Sequence, residues 1–305
     1  MKTRNQIYER IFLHLPVLLH EVMDYLRIEP GDTVLDATLG GGGHALECLK
    51  KIGPKGKLIA LDRDPSAISA AKDRLKEFSE RIIFVNDNFR NISDILRDSG
   101  INKIDGAVFD LGFSSFQLDE ALRGFSFLKN GPLDMRFDSR QKLSAFDVIN
   151  NFGKEELTEI IREYGEERHA VLVAGAIITA RGKKKIETTK ELTEIILKSI
   201  GRKYRKVRLH PAARTYQALR IYVNDELTSV EDGVRGAIPL MSPGARICVI
   251  SFHSLEDRII KNLYKEMGRE EKIKIITKKP VVPGMDEIKV NSRARSAKLR
   301  CAERV

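Results

Sequence analysis

The sequence predicts a doubly wound α/β fold, a mostly parallel Rossmann-like sheet interrupted by a helical inserted domain. Three observations predict it. Short apolar runs alternate with amphipathic stretches from Thr33 to Gly112, the alternation stops after Gly112, and a comparable strand pattern returns only at Ala245. The spacing of the first stretch is that of βαβ units, which build parallel sheets with helices on both faces.

Each element follows in order. Thr33 to Leu39 reads as the first strand, running into four glycines and a helix through Leu49. The turn Gly53-Pro54-Lys55-Gly56 leads to a second strand, Lys57 to Leu61, closed by Asp62. Pro65 suits the first turn of a helix that continues through Phe78. Arg81 to Val85 is a third strand, Ile92 to Asp98 a helix and Ile104 to Phe109 a fourth strand. From Gln117 onward the patterns are helical, at Glu155 to Tyr164, Glu167 to Ala180 and Thr189 to Ser199. Pro211 opens a long amphipathic helix, Ala212 to Ala237. Ala245 to Ile250 is the fifth strand, Ser254 to Met267 a helix, and Lys272 to Ile276 with Ala297 to Ala302 a closing pair of strands. Residues 1–116 and 211–305 are therefore expected to form the sheet domain and residues 117–210 the insert.

Composition narrows the function classes. A chain of 305 residues holds one large domain or two ordinary ones. Its net charge of +10 favours a polyanionic partner such as nucleic acid. Cys48, Cys248 and Cys301 lie far apart with no CxxC pair, which excludes a zinc ribbon and argues against a disulfide framework. No metal site is expected, and the cysteine usage suits a reducing compartment. The longest apolar run, Ala170 to Ala180, is too short to span a bilayer. The N-terminus is basic and then apolar, but His14 and His20 interrupt it and no small-residue cleavage site follows, so the chain reads as cytoplasmic.

The chemistry concentrates at strand ends. Asp36 precedes Gly40, Gly41, Gly42 and Gly43, residues that permit positive φ and close ligand approach. Asp62 ends the second strand about twenty residues further on, where an acid can accept from ribose hydroxyls. The glycine spacing misses the dinucleotide fingerprint, which opposes a nicotinamide oxidoreductase. Doubly wound methyltransferases instead carry an acid just before the glycines, to hold the cationic end of a methionine moiety, and Asp36 stands there; Thr38 replaces the first glycine of the usual D-x-G-x-G-x-G. Phe89, beyond the third strand, suits either an adenine contact or the core. Asp110 and Phe113 end the fourth strand in outline like the acid-Pro-Pro-aromatic of amino-group methyltransferases, without the prolines. His253, at the fifth strand's end, is a candidate catalytic group beside Asp110. A DNA amino-methyltransferase and a non-catalytic RNA-binding protein remain open at this point.

Blocks along nearly the whole chain resemble the bacterial 16S ribosomal RNA (cytosine-N4)-methyltransferase family. They include His14 to Glu21, Leu39 to His44, Asp62 to Pro65, Asp110 to Ser115, Gly131 to Arg136, Tyr164 to Arg168, His210 to Arg220, Ile250 to Arg258 and Ser292 to Ser296. The resemblance implies S-adenosylmethionine as cofactor, 16S rRNA or the small ribosomal subunit as partner, and a cytidine N4 in the decoding region as target. It also implies cofactor contacts at Gly42, Gly43, His44, Asp62, Phe89, Asp110 and Gln117. Phe113 and Phe116 depart from it, standing where relatives more often have valine and proline. Lys183 to Lys185, Arg202 to Arg208 and Arg293 to Arg300 are the basic runs expected to meet RNA phosphates.

Overall fold

Asp32 to Asp36 shows how the sheet begins: branched and apolar residues form a short strand that stops where the glycines start. The computed structural model describes residues 16–112, 120–201 and 210–305. Gln117, Phe113, Phe116, His14 and the run Arg202 to Arg208 lie outside them.

The chain divides into two compact units, Met1–Ser114 with Leu227–Val305 and Ser115–Glu226. The insert therefore extends to Glu226 rather than to 210, taking a helix with it. In the first unit the elements are α1 (Leu19–Leu26), β1 (Thr33–Asp36), α2 (Gly43–Ile52), β2 (Lys57–Leu61), α3 (Pro65–Arg74), β3 (Ile82–Val85), α4 (Ile92–Asp98) and β4 (Ile104–Asp110). The insert carries α5 (Ala145–Asn151), α6 (Lys154–Glu163), α7 (Ala170–Arg181), α8 (Thr189–Ile200) and α9 (Ala213–Asn224). After it come α10 (Glu226–Ala237), β5 (Met241–Ser251), α11 (Ser254–Arg269), β6 (Ile273–Ile275), α12 (Met285–Val290) and β7 (Lys298–Arg304).

The seven strands form one sheet in the order β3-β2-β1-β4-β5-β7-β6. The first five run parallel, and β7 and β6 close the edge antiparallel. Strand order reverses beside β1, between β1 and β4, so the crevice at their carboxyl ends is where a ligand fits. Alternate residues feed two cores: Val34, Leu58, Ala60, Val108 and Ile250 pack on the side of α1, α2 and α3. Leu35, Ile59, Leu61, Phe109 and Val249 pack on the side of α4, α10 and α11. Burial on both faces is the signature of a parallel sheet.

Local chemistry sets the boundaries. Asp64 caps α3 by accepting from Ser66 N–H, with Pro65 at the first helical position. The helix stops at Arg74 and a 3-10 turn, Lys76–Arg81, completes the stretch expected to be helical. Ser144 with Asp147, and Thr188 with Glu191, form capping boxes that start α5 and α8. The single helix expected over 212–237 is two, because Asp225 takes φ 48 and ends α9. No helix among the described residues is long and apolar enough to cross a membrane.

Candidate active site at the carboxyl edge of the sheet

Strand register decides which acids meet. Asp36 pairs with Val108, and Asp110 lies two residues further along β4, opposite Ile250. Side chains two apart share a face, so Asp36 and Asp110 continue the rows of Val34 and Val108 and both face the start of α2. Asp36 is buried; its Oδ1 accepts from Thr38 N–H at 3.1 Å, while its Oδ2 has no partner among the described residues. Burial, then the neighbouring Asp62, pushes its carboxyl up to about 7 against the hydrogen bonds from Thr38 and Ala45. Asp110 Oδ1 is likewise shielded and, among the described residues, unpartnered, although the side chain as a whole is 22% exposed. Burial, with Asp36 and Glu256 beside it, holds the Asp110 carboxyl well above the usual carboxylate range.

The glycine loop is tied down at both ends. Asp110 N–H donates to Thr38 Oγ1 at 2.6 Å, and Leu39 N–H to Leu61 O at 2.7 Å. Thr38 thus fixes the loop to β4, a reason for a hydroxyl where the usual pattern has glycine. Gly42 takes φ 73, and a Cβ there would meet Leu75 at 3.3 Å; one on Gly43 would meet Pro16 at 3.0 Å. Asp62 accepts from Gly40 N–H at 2.8 Å and from Asp64 N–H at 2.9 Å, one bond per oxygen. Each oxygen keeps a second lone pair for a ligand. Burial pushes the Asp62 carboxyl up to about 6 against those two bonds.

His44, on the first turn of α2, is 5% exposed. Its Nε2 lies 3.1 Å from Val17 O and its Nδ1 lies 3.6 Å from Asp110 Oδ2. Asp36, Gly42, Gly43, His44, Asp62 and Asp110 therefore gather at one edge. Phe89 packs its ring edge-to-face on Phe109 at 5.6 Å and against Gly233. His253 is the N-cap of α11, its Nδ1 accepting from Glu256 N–H at 3.4 Å. Its Nε2 stands 3.2 Å from Glu256 Oε1 but makes no hydrogen bond. Glu256, which accepts from Phe252 N–H at 2.8 Å, was not foreseen, although its place three residues after His253 is a capping spacing.

The basic tail also differs from expectation. Arg300 is buried and its Nε donates to Asp257 Oδ1 at 2.7 Å, so it is not available to RNA. Lys184 is ion-paired with Glu191 at 3.1 Å. Arg295 is exposed on the 3-10 turn Ser292–Ser296, directly before β7.

A sheet of this order, with acids beside a glycine loop at the strand-order reversal, defines a Rossmann-like methyltransferase. A family model described as "MraW methylase family" matches residues 11–305. The chain is 48% identical over 309 residues to "Ribosomal RNA small subunit methyltransferase H" of Clostridioides difficile (strain 630), covering 96% of this chain and 99% of that one. It is 49% identical over 307 residues to the protein of the same name from Halothermothrix orenii, covering 96% and 98%. A solved putative rRNA-methylase from Clostridium thermocellum is 14% identical, with a TM-score of 0.48, over 96% of this chain and 100% of that one. The chain belongs to the MraW methylase family, and it is a methyltransferase whose methyl donor is S-adenosylmethionine.

Proposed function

We propose that the protein methylates N4 of a cytidine in the decoding region of 16S ribosomal RNA, in the cytoplasm. The observation that carries this reading is the unpartnered, buried Asp110 Oδ1 at the end of β4. Its support on the substrate side is the name of the relatives at 48% and 49% identity and the family resemblance of the sequence.

The residues present fit the cofactor. Asp36 Oδ2 is a buried anionic acceptor without a partner, suited to a cationic ammonium or sulfonium. Asp62 offers lone pairs to ribose hydroxyls, and Gly42 and Gly43 let the loop turn tightly against Leu75 and Pro16 at the start of α2. Gln117 and Phe89 are the further contacts that the resemblance implies. When bound, S-adenosylmethionine supplies an electrophilic methyl group on a positively charged sulfur.

Cytosine N4 is a poor nucleophile because its lone pair is delocalised into the ring. Asp110 accepts a hydrogen bond from that amine, which localises the lone pair and fixes it for in-line attack. The target base leaves its stack to enter the crevice. The insert, Ser115–Glu226, presents the RNA, with Gly131 to Arg136 as part of that surface. His253 stays in the site as a helix cap, and we assign it no proton transfer. Cytosine C5 methylation would need a cysteine nucleophile. Cys48, Cys248 and Cys301 are all fully buried in the core.

The test is nucleoside mass spectrometry of small-subunit RNA treated with protein and S-adenosylmethionine. N4-methylcytidine is expected, surviving replacement of all three cysteines by alanine and falling by about two orders of magnitude or more in Asp110→Asn. A 5-methylcytidine product, or a folded triple-cysteine variant that binds cofactor but is inactive, would overturn the reading.

A further inference from the structure

The ring of His44 has no part in the chemistry so far. Its surroundings fix its tautomer. Val17 O can only accept, so Nε2, 3.1 Å away, carries the proton. A neutral His44 then carries no proton on Nδ1, the nitrogen 3.6 Å from Asp110 Oδ2. That separation is longer than a hydrogen bond, and closes to one with a shift of roughly half an ångström, as catalytic contacts do when substrate arrives. The other Asp110 oxygen, Oδ1, is the unpartnered one. One carboxyl thus has one oxygen for the substrate and one for a histidine.

We propose that His44 and Asp110 form a proton-relay pair that takes up the proton released by amine methylation. This rests on the function proposed above. Methylation leaves an N4 cation carrying one proton too many. Its N–H bond breaks, the electron pair returning to nitrogen, and the proton joins Asp110 Oδ1. The proton on Asp110 Oδ2 passes to His44 Nδ1, leaving neutral carboxyl and an imidazolium. One proton enters the pair and one positive charge moves from N4 to the ring, so the step balances without a further reactant. Burial and two facing acids, Asp36 from β1 and Glu256 from α11, favour the protonated carboxyl from which the relay starts. His253 Nε2 lies 3.2 Å from Glu256 Oε1. His44 is a catalytic partner by this account rather than a cofactor contact alone.

Two measurements test the pair. Nitrogen NMR of 15N-histidine-labelled protein, without substrate, reads the ring directly. The Nε2–H tautomer is expected at neutral pH, and Asp110→Asn, which removes the acidic O–H facing Nδ1, should move the Nδ1 resonance. An unchanged Nδ1 resonance would sink the pairing. His44→Gln keeps an N–H for Val17 O but has no basic nitrogen. In single-turnover methylation of small-subunit RNA at saturating S-adenosylmethionine, it should be slower by about 100-fold or more. The rise of rate with pH expected of the wild type should flatten, and the loss of rate at saturating cofactor should exceed any loss of cofactor affinity read by calorimetry. A wild-type rate and profile in that variant, or an equal loss of cofactor affinity, overturns the relay. A wild-type protein that methylates no cytidine amine would remove the function itself, a failure distinct from the pair's, whose coupling the spectra read independently.

Discussion

A carboxylate stripped of water and given no counter-charge prefers to hold a proton, and three acids at this sheet edge are in that position. Asp36 is pushed up to about 7 and Asp62 to about 6, both chiefly by burial. Their folded values lie above the unfolded value near 4, so the folded protein binds more protons over that interval. The stability they contribute is present below about pH 4 and is lost as pH rises through 6 to 7. Cofactor-free protein should therefore melt lower at pH 8 than at pH 5.5, and Asp36→Asn should shrink that difference. Melts showing the same pH dependence in both proteins would contradict the burial argument. A cationic ligand favours ionised Asp36 and Asp62, so S-adenosylmethionine should bind more tightly as pH rises across the same window, releasing protons. Calorimetry in two buffers of different ionisation enthalpy reads that release. Asp36, Asp62 and Asp110 were legible in the sequence because strand ends put them there. His44 came only from the family resemblance and Glu256 from neither source, since their contacts with Val17 and Phe252 are not encoded by spacing.

Elements show where local pattern suffices. Alternation in Thr33 to Gly112 located β1 to β4 to within a few residues, because a strand buried on both faces must be apolar throughout. The same reasoning merged α9 and α10, since an apolar period of 3.6 continues across Asp225 although its backbone is left-handed. The pair beside that break is polar and buried. Arg220 donates to Glu226 from Nε at 2.8 Å and from a terminal nitrogen at 2.9 Å, and neither residue exceeds 9% exposure. Removing one partner of such a pair strands the other charge, at a cost of about 3–5 kcal/mol. Arg220→Met should lose about that much stability in urea unfolding, and the double variant Arg220→Met, Glu226→Leu should recover at least half of it. A single variant within about 1 kcal/mol of wild type would mean that the pair is already solvated. Neither Arg220 nor Glu226 stood out in the sequence as a pair, because six residues on one apparent helix do not face each other.

At the scale of the whole molecule, the charge of +10 overstates the surface available to RNA. Several basic side chains have internal work. Arg300 pairs with Asp257, Arg246 with Glu303, Arg136 with Asp134, and Arg181 donates to the carbonyls of Ile149 and Phe152. A run such as Arg293 to Arg300 looks uniform in sequence, yet Arg295 lies exposed on the 3-10 turn Ser292–Ser296 while Arg300 lies buried in β7, so its members have different fates. Arg295 is exposed on the turn before β7, and β7 begins beside Ser251, at the carboxyl edge that holds Asp110. If Arg295 meets a phosphate, its loss should raise the dissociation constant for small-subunit RNA and flatten the plot of log affinity against log salt by about 0.7–1. Arg300→Ala should instead lower the melting temperature and leave that slope unchanged, because its charge is already matched by Asp257. Binding isotherms at several salt concentrations separate the two. Equal slopes for wild type and Arg295→Ala would take the tail off the RNA path, and a flattened slope for Arg300→Ala would show that the Asp257 pair opens on binding.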